Sequence, residues 1–229
     1  MGLWHVFYAD WQMECCGTPF SVGDEVGWPL LLCDADDVLG GGWHDQLTEI
    51  VGAVEDVRGK DGAVRVVREE TGLVVALHAH PVHMIAPDDL GGGRPGDRIR
   101  SVGLLAVETH GSVELPEVRG RVRAVQVLTQ GFAEPAPGAD LLVPVPGERW
   151  LKAVDACPRW FGGAARRSAA GVIVTLEVPG TDSALSHAVR AASGLPDDAP
   201  PGTESEGLPG DALAALLETL STVRKPRVP

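Results

Sequence analysis

The chain has few lysines, few aromatic residues and no long apolar run. Aromatic side chains make up 5% of its 229 residues, and its only lysines are Lys60, Lys152 and Lys225. No apolar run approaches the roughly 20 residues that a membrane-spanning helix needs. The first residues lack the cationic segment that opens a signal peptide. These absences predict a soluble, cytoplasmic protein with no membrane partner.

Positive charge is also scarce. The 19 Lys and Arg residues stand against 32 Asp and Glu, which gives a net charge of -13 at pH 7. Such a chain repels a phosphate backbone, so generic nucleic-acid binding is disfavoured. The arginine-rich stretches 94–100 and 119–123 lack the interleaved aromatic residues of a stacking platform. We therefore expect a protein or small-molecule partner.

The common catalytic signatures are missing as well. The sequence contains no Cys-x-x-Cys, no Gly-x-Ser-x-Gly and no phosphate-binding Gly-x-x-x-x-Gly-Lys. Four cysteines in a cytosolic chain are more consistent with reduced thiols than with a disulfide framework. The sequence thus shows no complete catalytic constellation, and we expect no cofactor.

Runs of β-branched and aromatic residues between Gly, Pro and Asp predict a mainly β fold. The turn at residues 59–62 contains Asp-Gly and predicts a β-hairpin. We expect small SH3-like or related barrel-type units with a C-terminal helix. Strands are predicted at residues 3–8, 20–32, 50–57, 63–67, 73–80, 99–109, 118–128, 141–146 and 170–178.

Two Gly- and Pro-rich stretches divide the chain. Residues 1–87 are predicted to form an N-terminal β lobe, and residues 96–194 a second β lobe that ends in a short helix at 183–193. Residues 195–210 are too poor in large apolar groups to fold alone and predict a disordered linker. Residues 211–223 have leucines at helical spacing and predict a terminal helix.

Two short patterns recur in the two predicted lobes. The turn Gly23-Asp24 before Val26 resembles Gly96-Asp97 before Ile99, and both lobes contain a Gly-x-Val-x-x-Val strand, at 52–57 and 120–125. Either the lobes are related repeats, or such turns and valine patterns recur by chance in a Gly- and Val-rich β protein. We would expect each lobe to pair its own turn with its own strand.

The densest stretch is residues 10–28, with the sequence DWQMECCGTPFSVGDEVGW. In an extended backbone, the vicinal Cys15 and Cys16 side chains point to opposite faces and cannot both coordinate one metal ion. We therefore expect no bound metal, and slow thiol reactions because at least one of the two is packed in the core. If a metal were present, its candidate ligands are Cys15, Cys33, His78 and His80.

Binding is the function that we expect from a small barrel with no catalytic set, because barrel grooves commonly take peptides or ligands. The alternative is a metal- or thiol-dependent enzyme or sensor that uses Cys15 and Cys16 with a nearby His5, His44, His78 or His110. The alternating pattern also predicts burial of Trp11, Phe20, Val22, Val26 and Trp28. The candidate binding residues are Trp11, Cys15, Cys16, Trp28 and Trp150.

The opening motif resembles that of an actinobacterial, Streptomyces-type family of unknown function, with the pattern DWQxxCCGxPFxVGDxVxW. A second block, Arg119-Gly120-x-Val122 with the later Val145-Pro146-Gly147, is similar too. The chain departs from the family pattern in an added β-rich stretch at residues 43–87 and an extended C-terminus. The resemblance implies relatives without a known activity, so it assigns no catalytic residue.

Overall fold

Ten strands and four helices form in the part of the chain that the computed structural model describes. That part comprises residues 1–40, 43, 46–59, 62–70, 72–77, 94–110, 115–139, 141–164, 166–196 and 210–223. The strands are β1 (Gly2–Ala9), β2 (Glu25–Cys33), β3 (Thr48–Gly59), β4 (Gly62–Glu69), β5 (Val74–Leu77), β6 (Arg98–Val107), β7 (Glu117–Ala133), β8 (Val143–Val154), β9 (Gly163–Ala164) and β10 (Arg167–Val178). The helices are α1 (Asp10–Cys15), α2 (Ala35–Leu39), α3 (Ala184–Ala192) and α4 (Gly210–Val223). The prediction of a mainly β fold with a C-terminal helix is confirmed.

Eight of these strands close into a barrel. Their order is β7-β2-β5-β4-β3-β6-β1-β10, and β10 pairs back onto β7. Strand β8 extends the sheet beyond β7, and β9 beyond β10. An additional antiparallel pairing of β2 with β6 runs across the barrel. The pairing divides the barrel into two circuits of five strands that share β2 and β6.

Two equivalent turns begin β2 and β6. Both glycines have positive φ, 98° at Gly23 and 94° at Gly96, which is a conformation that glycine adopts without a steric penalty. In each turn the glycine N–H donates to a valine carbonyl, and the N–H of the same valine donates to the aspartate carbonyl, at 2.8–2.9 Å. That valine is Val122 for the turn at 23–24 and Val54 for the turn at 96–97.

The recurring patterns therefore have matching structures, but each turn pairs with the strand from the other half of the sequence. The register agrees, since Val26 lies opposite Gly120 and Ile99 lies opposite Gly52. Our expectation that each turn pairs within its own lobe is wrong, because β2 and β6 are exchanged between the two circuits. The division into lobes at residues 1–87 and 96–194 stays a prediction.

The core follows from alternation along the strands. On β2, Trp28, Leu30 and Leu32 are buried while their neighbours are partly exposed. Trp28 packs edge-on against Tyr8 and Phe20, with ring centroids 5.5 and 5.0 Å away. Aromatic pairs at such distances and angles stabilise a core beyond the area they bury.

Helices α3 and α4 cover the outside of the sheet. The Ser183 hydroxyl accepts a hydrogen bond from the Ser186 N–H and caps α3, as expected for a Ser at this position. Leu213 and Leu217 of α4 are buried in a cluster with Leu3 of β1. Most of the predicted linker, residues 197–209, lies outside the described residues. None of the helices that the structure describes is long and apolar enough to cross a membrane.

Candidate metal centre

The C-terminal ends of β1 and β6 lie side by side at one edge of the barrel. The two strands are parallel, with Val6 opposite Leu105 and Phe7 opposite Ala106. Parallel neighbours run in the same direction, so the segments that follow them leave from the same edge. Helix α1 follows β1 directly, and residues 108–110 follow β6. The topology thus brings together two segments that are far apart in sequence.

The vicinal cysteines lie at the end of a helix and not in an extended strand. The sequence of α1, DWQMEC, contains no β-branched residue, and such residues favour strands. The N–H groups of Cys16 and Gly17 both donate to the Gln12 carbonyl, at 3.1 and 2.9 Å, and end the helix. This local geometry places the Cys15 and Cys16 sulphur atoms 3.0 Å apart. Our expectation that the two side chains diverge is therefore wrong.

A histidine completes a three-residue cluster. The Nε2 atom of His110 lies 3.0 Å from the Cys15 sulphur and 3.1 Å from the Cys16 sulphur. These side chains offer three potential metal ligands close together, and all three are exposed to solvent. Two thiols and an imidazole are donors that bind zinc and other borderline or soft metal ions.

A chain of hydrogen bonds positions His110. The Gln12 side-chain amide donates to the Val107 carbonyl at 2.9 Å and so fixes the end of β6 against α1. The oxygen of the same amide, Gln12 Oε1, accepts hydrogen bonds from the Thr109 hydroxyl at 2.9 Å and from the Thr109 N–H at 3.2 Å. Thr109 Oγ1 in turn lies 3.2 Å from His110 Nδ1.

The direction of this chain selects a tautomer of His110. Because the Thr109 hydroxyl hydrogen is directed at Gln12, the lone pairs of its oxygen are free to accept the Nδ1–H of the imidazole. Nε2 then carries a lone pair that faces the two sulphur atoms. Metal-binding histidines are commonly held in this way, by a hydrogen bond on the nitrogen that does not bind the ion.

Trp11 forms one side of the cluster. Its ring centroid lies 4.8 Å from that of His110, and the residue is 53% exposed. The expected burial of Trp11 is wrong, because α1 turns this side chain away from the core face that a strand would have given it. Phe20 and Trp28 are buried as expected, while Val22 and Val26 are only partly buried.

Cys15 and Cys16 lie in a different environment from Cys157. Cys15 and Cys16 are both exposed, so the expectation that at least one is packed in the core is wrong. The hydrogen bond to Cys16 raises the pKa of Cys15, and partial desolvation and the charge of Cys16 add to this effect against a lowering by Arg159. Such a thiol is a poor free nucleophile. Cys157 is buried, and burial raises its pKa to about 12.

A cavity of about 460 Å³ adjoins the cluster at Cys16. Tyr8, Phe20 and Trp28 form part of its wall, and Thr18 and Thr109 also line it. Tyr8 is 2% exposed, and its pKa is raised to about 12 mainly by burial, with smaller contributions from Cys16, Cys157 and Cys15. This side chain therefore extends from the core toward the cluster.

The other residues predicted for a site lie in several places. Trp150, on β8, is 41% exposed, and the Arg167 guanidinium lies 3.7 Å from the centre of its ring. Cys33 is the last residue of β2, and its thiol donates to the Leu104 carbonyl at 3.4 Å. His78 and His80 lie outside the described residues. Within the described part of the chain, Cys33 is not in the potential metal-ligand cluster.

Sequence reasoning named His110 only as one of four candidate histidines, and it missed Gln12, Thr109 and Tyr8. His110 follows Cys15 by 95 positions, and this separation is no spacing signal that would single out the histidine. A Thr-His pair at the end of a predicted strand was the one local feature available, and many surface loops contain such a pair.

Comparison with known proteins gives a family and no activity. The family of unknown function DUF6578 matches residues 2–178, so the chain belongs to it. The match includes β1, α1 and the end of β6, and therefore all three residues of the cluster. No curated protein and no solved structure matches the chain.

Proposed function

We propose that this member of DUF6578 is a metal-binding module that holds one zinc-type ion with Cys15, Cys16 and His110. The observation that carries the proposal is the approach of His110 Nε2 to both cysteine sulphurs, at 3.0 and 3.1 Å. Binding remains the proposed class of function, and the proposed ligand is a metal ion. The expectation of no metal is replaced, because it depended on diverging cysteines.

The donor set favours zinc among the divalent ions. Thiolate and imidazole suit zinc, whereas Mg²⁺ and Ca²⁺ prefer oxygen ligands. Zinc sites with three protein ligands leave a fourth position for water or for another ligand. Since all three side chains are exposed, the fourth position is accessible from solvent. The proposed site thus resembles open zinc sites more than closed structural ones.

Metal binding requires a small rearrangement. Zinc bonds of about 2.3 Å to sulphur and about 2.0–2.1 Å to nitrogen place tetrahedral ligand atoms roughly 3.6–3.8 Å apart. The three atoms, now 3.0–3.1 Å apart, must separate by roughly 0.5–0.8 Å. Rotation of exposed side chains achieves this without disturbing the barrel. Both thiols lose their protons when the ion binds.

The compartment and the partner follow from the same proposal. Two adjacent thiols 3.0 Å apart stay available to a metal only where they are kept reduced, which supports the proposed cytoplasmic location. The net charge of -13 attracts cations and repels nucleic acid. An actinobacterial origin, inferred from the opening motif, belongs to the proposal as well.

Cobalt titration of the reduced full chain tests the site. Co²⁺ bound by two thiolates and an imidazole gives intense thiolate-to-metal charge-transfer absorption and visible bands typical of tetrahedral coordination. We expect one equivalent of Co²⁺ to saturate these bands and one equivalent of Zn²⁺ to abolish them. Loss of either thiol, in Cys15→Ser or Cys16→Ser, should remove most of the absorption.

Two further variants make the titration specific. His110→Ala should weaken binding by roughly 10-fold or more, because the imidazole nitrogen that binds the ion and the hydrogen bond that holds the ring are both lost. Cys33→Ser is the matched cysteine control and should leave the titration unchanged. If Cys33→Ser loses the bands while Cys16→Ser keeps them, the ion is held elsewhere. A wild-type chain with no tetrahedral bands refutes the proposal altogether.

A further inference from the structure

The sulphur atoms of Cys15 and Cys16 lie at a separation between those of the two states that they can enter. They are 3.0 Å apart, with the Cys15 thiol donating to the Cys16 sulphur. A disulfide bond needs about 2.05 Å, whereas tetrahedral zinc needs roughly 3.6–3.8 Å between its ligand atoms. Closing the pair into a disulfide and loading it with a metal ion therefore move the same two atoms in opposite directions.

The position of the pair leaves both movements open. Cys15 is the last residue of α1 and Cys16 is its C-cap, and both are exposed to solvent. Consecutive Cα atoms are about 3.8 Å apart across a trans peptide, which is less than the roughly 4.4–6.8 Å that disulfides usually span. A disulfide between these two residues is thus strained. Strained and exposed disulfides are the labile ones that small thiols reduce again.

We propose that a small disulfide compound oxidises Cys15 and Cys16 to a vicinal disulfide, and that this bond and the metal ion exclude each other. This redox switch rests on the proposed metal site and regulates it. Cysteine binds metal as a thiolate, and a disulfide has no thiolate. Oxidation therefore leaves only His110 of the three potential ligands. The module holds its ion in a reducing environment and releases it when the pair is oxidised.

Oxidation proceeds by two thiol–disulfide exchanges. One cysteine sulphur attacks the small disulfide, gives its proton to the departing small thiol and keeps the other half as a mixed disulfide. The second cysteine sulphur, 3.0 Å away, attacks the first and releases the second small thiol. His110 Nε2, which lies 3.0 and 3.1 Å from the two sulphurs, accepts the second proton and passes it to that thiol. The cysteines lose two electrons and two protons, and the small disulfide gains them.

Thiol counting tests the disulfide, and cobalt titration tests its effect on the ion. The reduced, metal-free full chain is treated with increasing hydroxyethyl disulfide, and its free thiols are alkylated in denaturant and counted by mass spectrometry. We expect the count to fall from four to two with no hydroxyethyl group bound, and dithiothreitol to restore it. The oxidised chain should bind Co²⁺ at least roughly 100-fold more weakly, because losing two thiolates costs more than losing a group that only supports a ligand.

Single-cysteine variants locate the bond. In Cys15→Ser or Cys16→Ser the second exchange cannot occur, so the mixed disulfide with its hydroxyethyl group should persist. Cys33→Ser is the matched control and should close the disulfide as the wild-type chain does. A wild-type chain that keeps all four thiols or stops at a mixed disulfide refutes the switch, and so does an oxidised chain with unchanged cobalt affinity. These results leave the metal site standing, whereas a reduced chain without tetrahedral cobalt bands refutes the metal site and the switch with it.

Discussion

Replacing Gly17 by alanine tests how the chain presents the vicinal cysteines. A Cβ at this position would lie 2.7 Å from both the Cα and the sulphur of Met13, and 3.0 Å from the Tyr8 hydroxyl. The Met13 sulphur can move, but its Cα belongs to the backbone of α1. Gly17 must therefore be a glycine because the helix backbone approaches it closely.

The expected magnitude combines two opposing terms. Overpacking in a tight site costs about 1–3 kcal/mol. The φ of Gly17 is not positive, so alanine fits the backbone and gains about 0.4–1 kcal/mol from a less flexible unfolded chain. The net loss is about 1–2 kcal/mol, and a chain of this size shifts in Tm by roughly 2–4 °C per kcal/mol. The cobalt affinity should fall as well, because α1 moves relative to His110.

Chemical denaturation followed by tryptophan fluorescence measures this loss. Gly162→Ala is the matched control, because a Cβ there meets no atom within 4 Å. We expect the control to lie within about 0.5 kcal/mol of wild type. Equal unfolding midpoints for the Gly17 and Gly162 variants would refute the close-approach argument.

Three other predictions concern the rest of the molecule. Trp28→Ala should lower the free energy of unfolding by about 3–5 kcal/mol in equilibrium denaturation, and a loss under 1 kcal/mol would contradict the buried aromatic cluster. Burial opposes ionisation of Asp182, but hydrogen bonds from Arg190 and the Ser183 N–H outweigh it and lower its pKa. The stability that this carboxylate contributes should be full above about pH 4 and lost as the pH falls through its folded pKa, and Asp182→Asn should flatten that acid-side decline. Cys157 should resist alkylation until the chain unfolds, as mass spectrometry of native and denatured samples can show.

The strands were predictable because their signals are local. Alternation along β2 and the Asp-Gly turn between β3 and β4 need only neighbouring residues to be recognised. The same holds for α3 with its Ser183 cap, and for the leucine spacing of α4. The exchange of β2 and β6 was not predictable. The two turns resemble each other, and so do the two Gly-x-Val-x-x-Val strands, so the sequence does not indicate which turn pairs with which strand.

The cysteines of the candidate site were predictable from the sequence, but their geometry and their histidine partner were not. The density of the opening motif singled out Cys15 and Cys16, but the assumption of an extended backbone gave the wrong geometry for both. The period-2 pattern likewise placed Trp11 in the core, whereas the short helix turns it toward His110. The position of His110 depends on the parallel pairing of β1 with β6, and no local sequence pattern indicates that pairing.

X-ray absorption at the zinc edge of the zinc-loaded full chain tests the central claim most directly. If Cys15, Cys16 and His110 hold the ion, the first shell contains two sulphur atoms at about 2.3 Å, with nitrogen or oxygen at about 2.0–2.1 Å. Multiple scattering from one imidazole should accompany them and disappear in His110→Ala. A first shell without sulphur, or a spectrum unchanged in His110→Ala, would contradict the account.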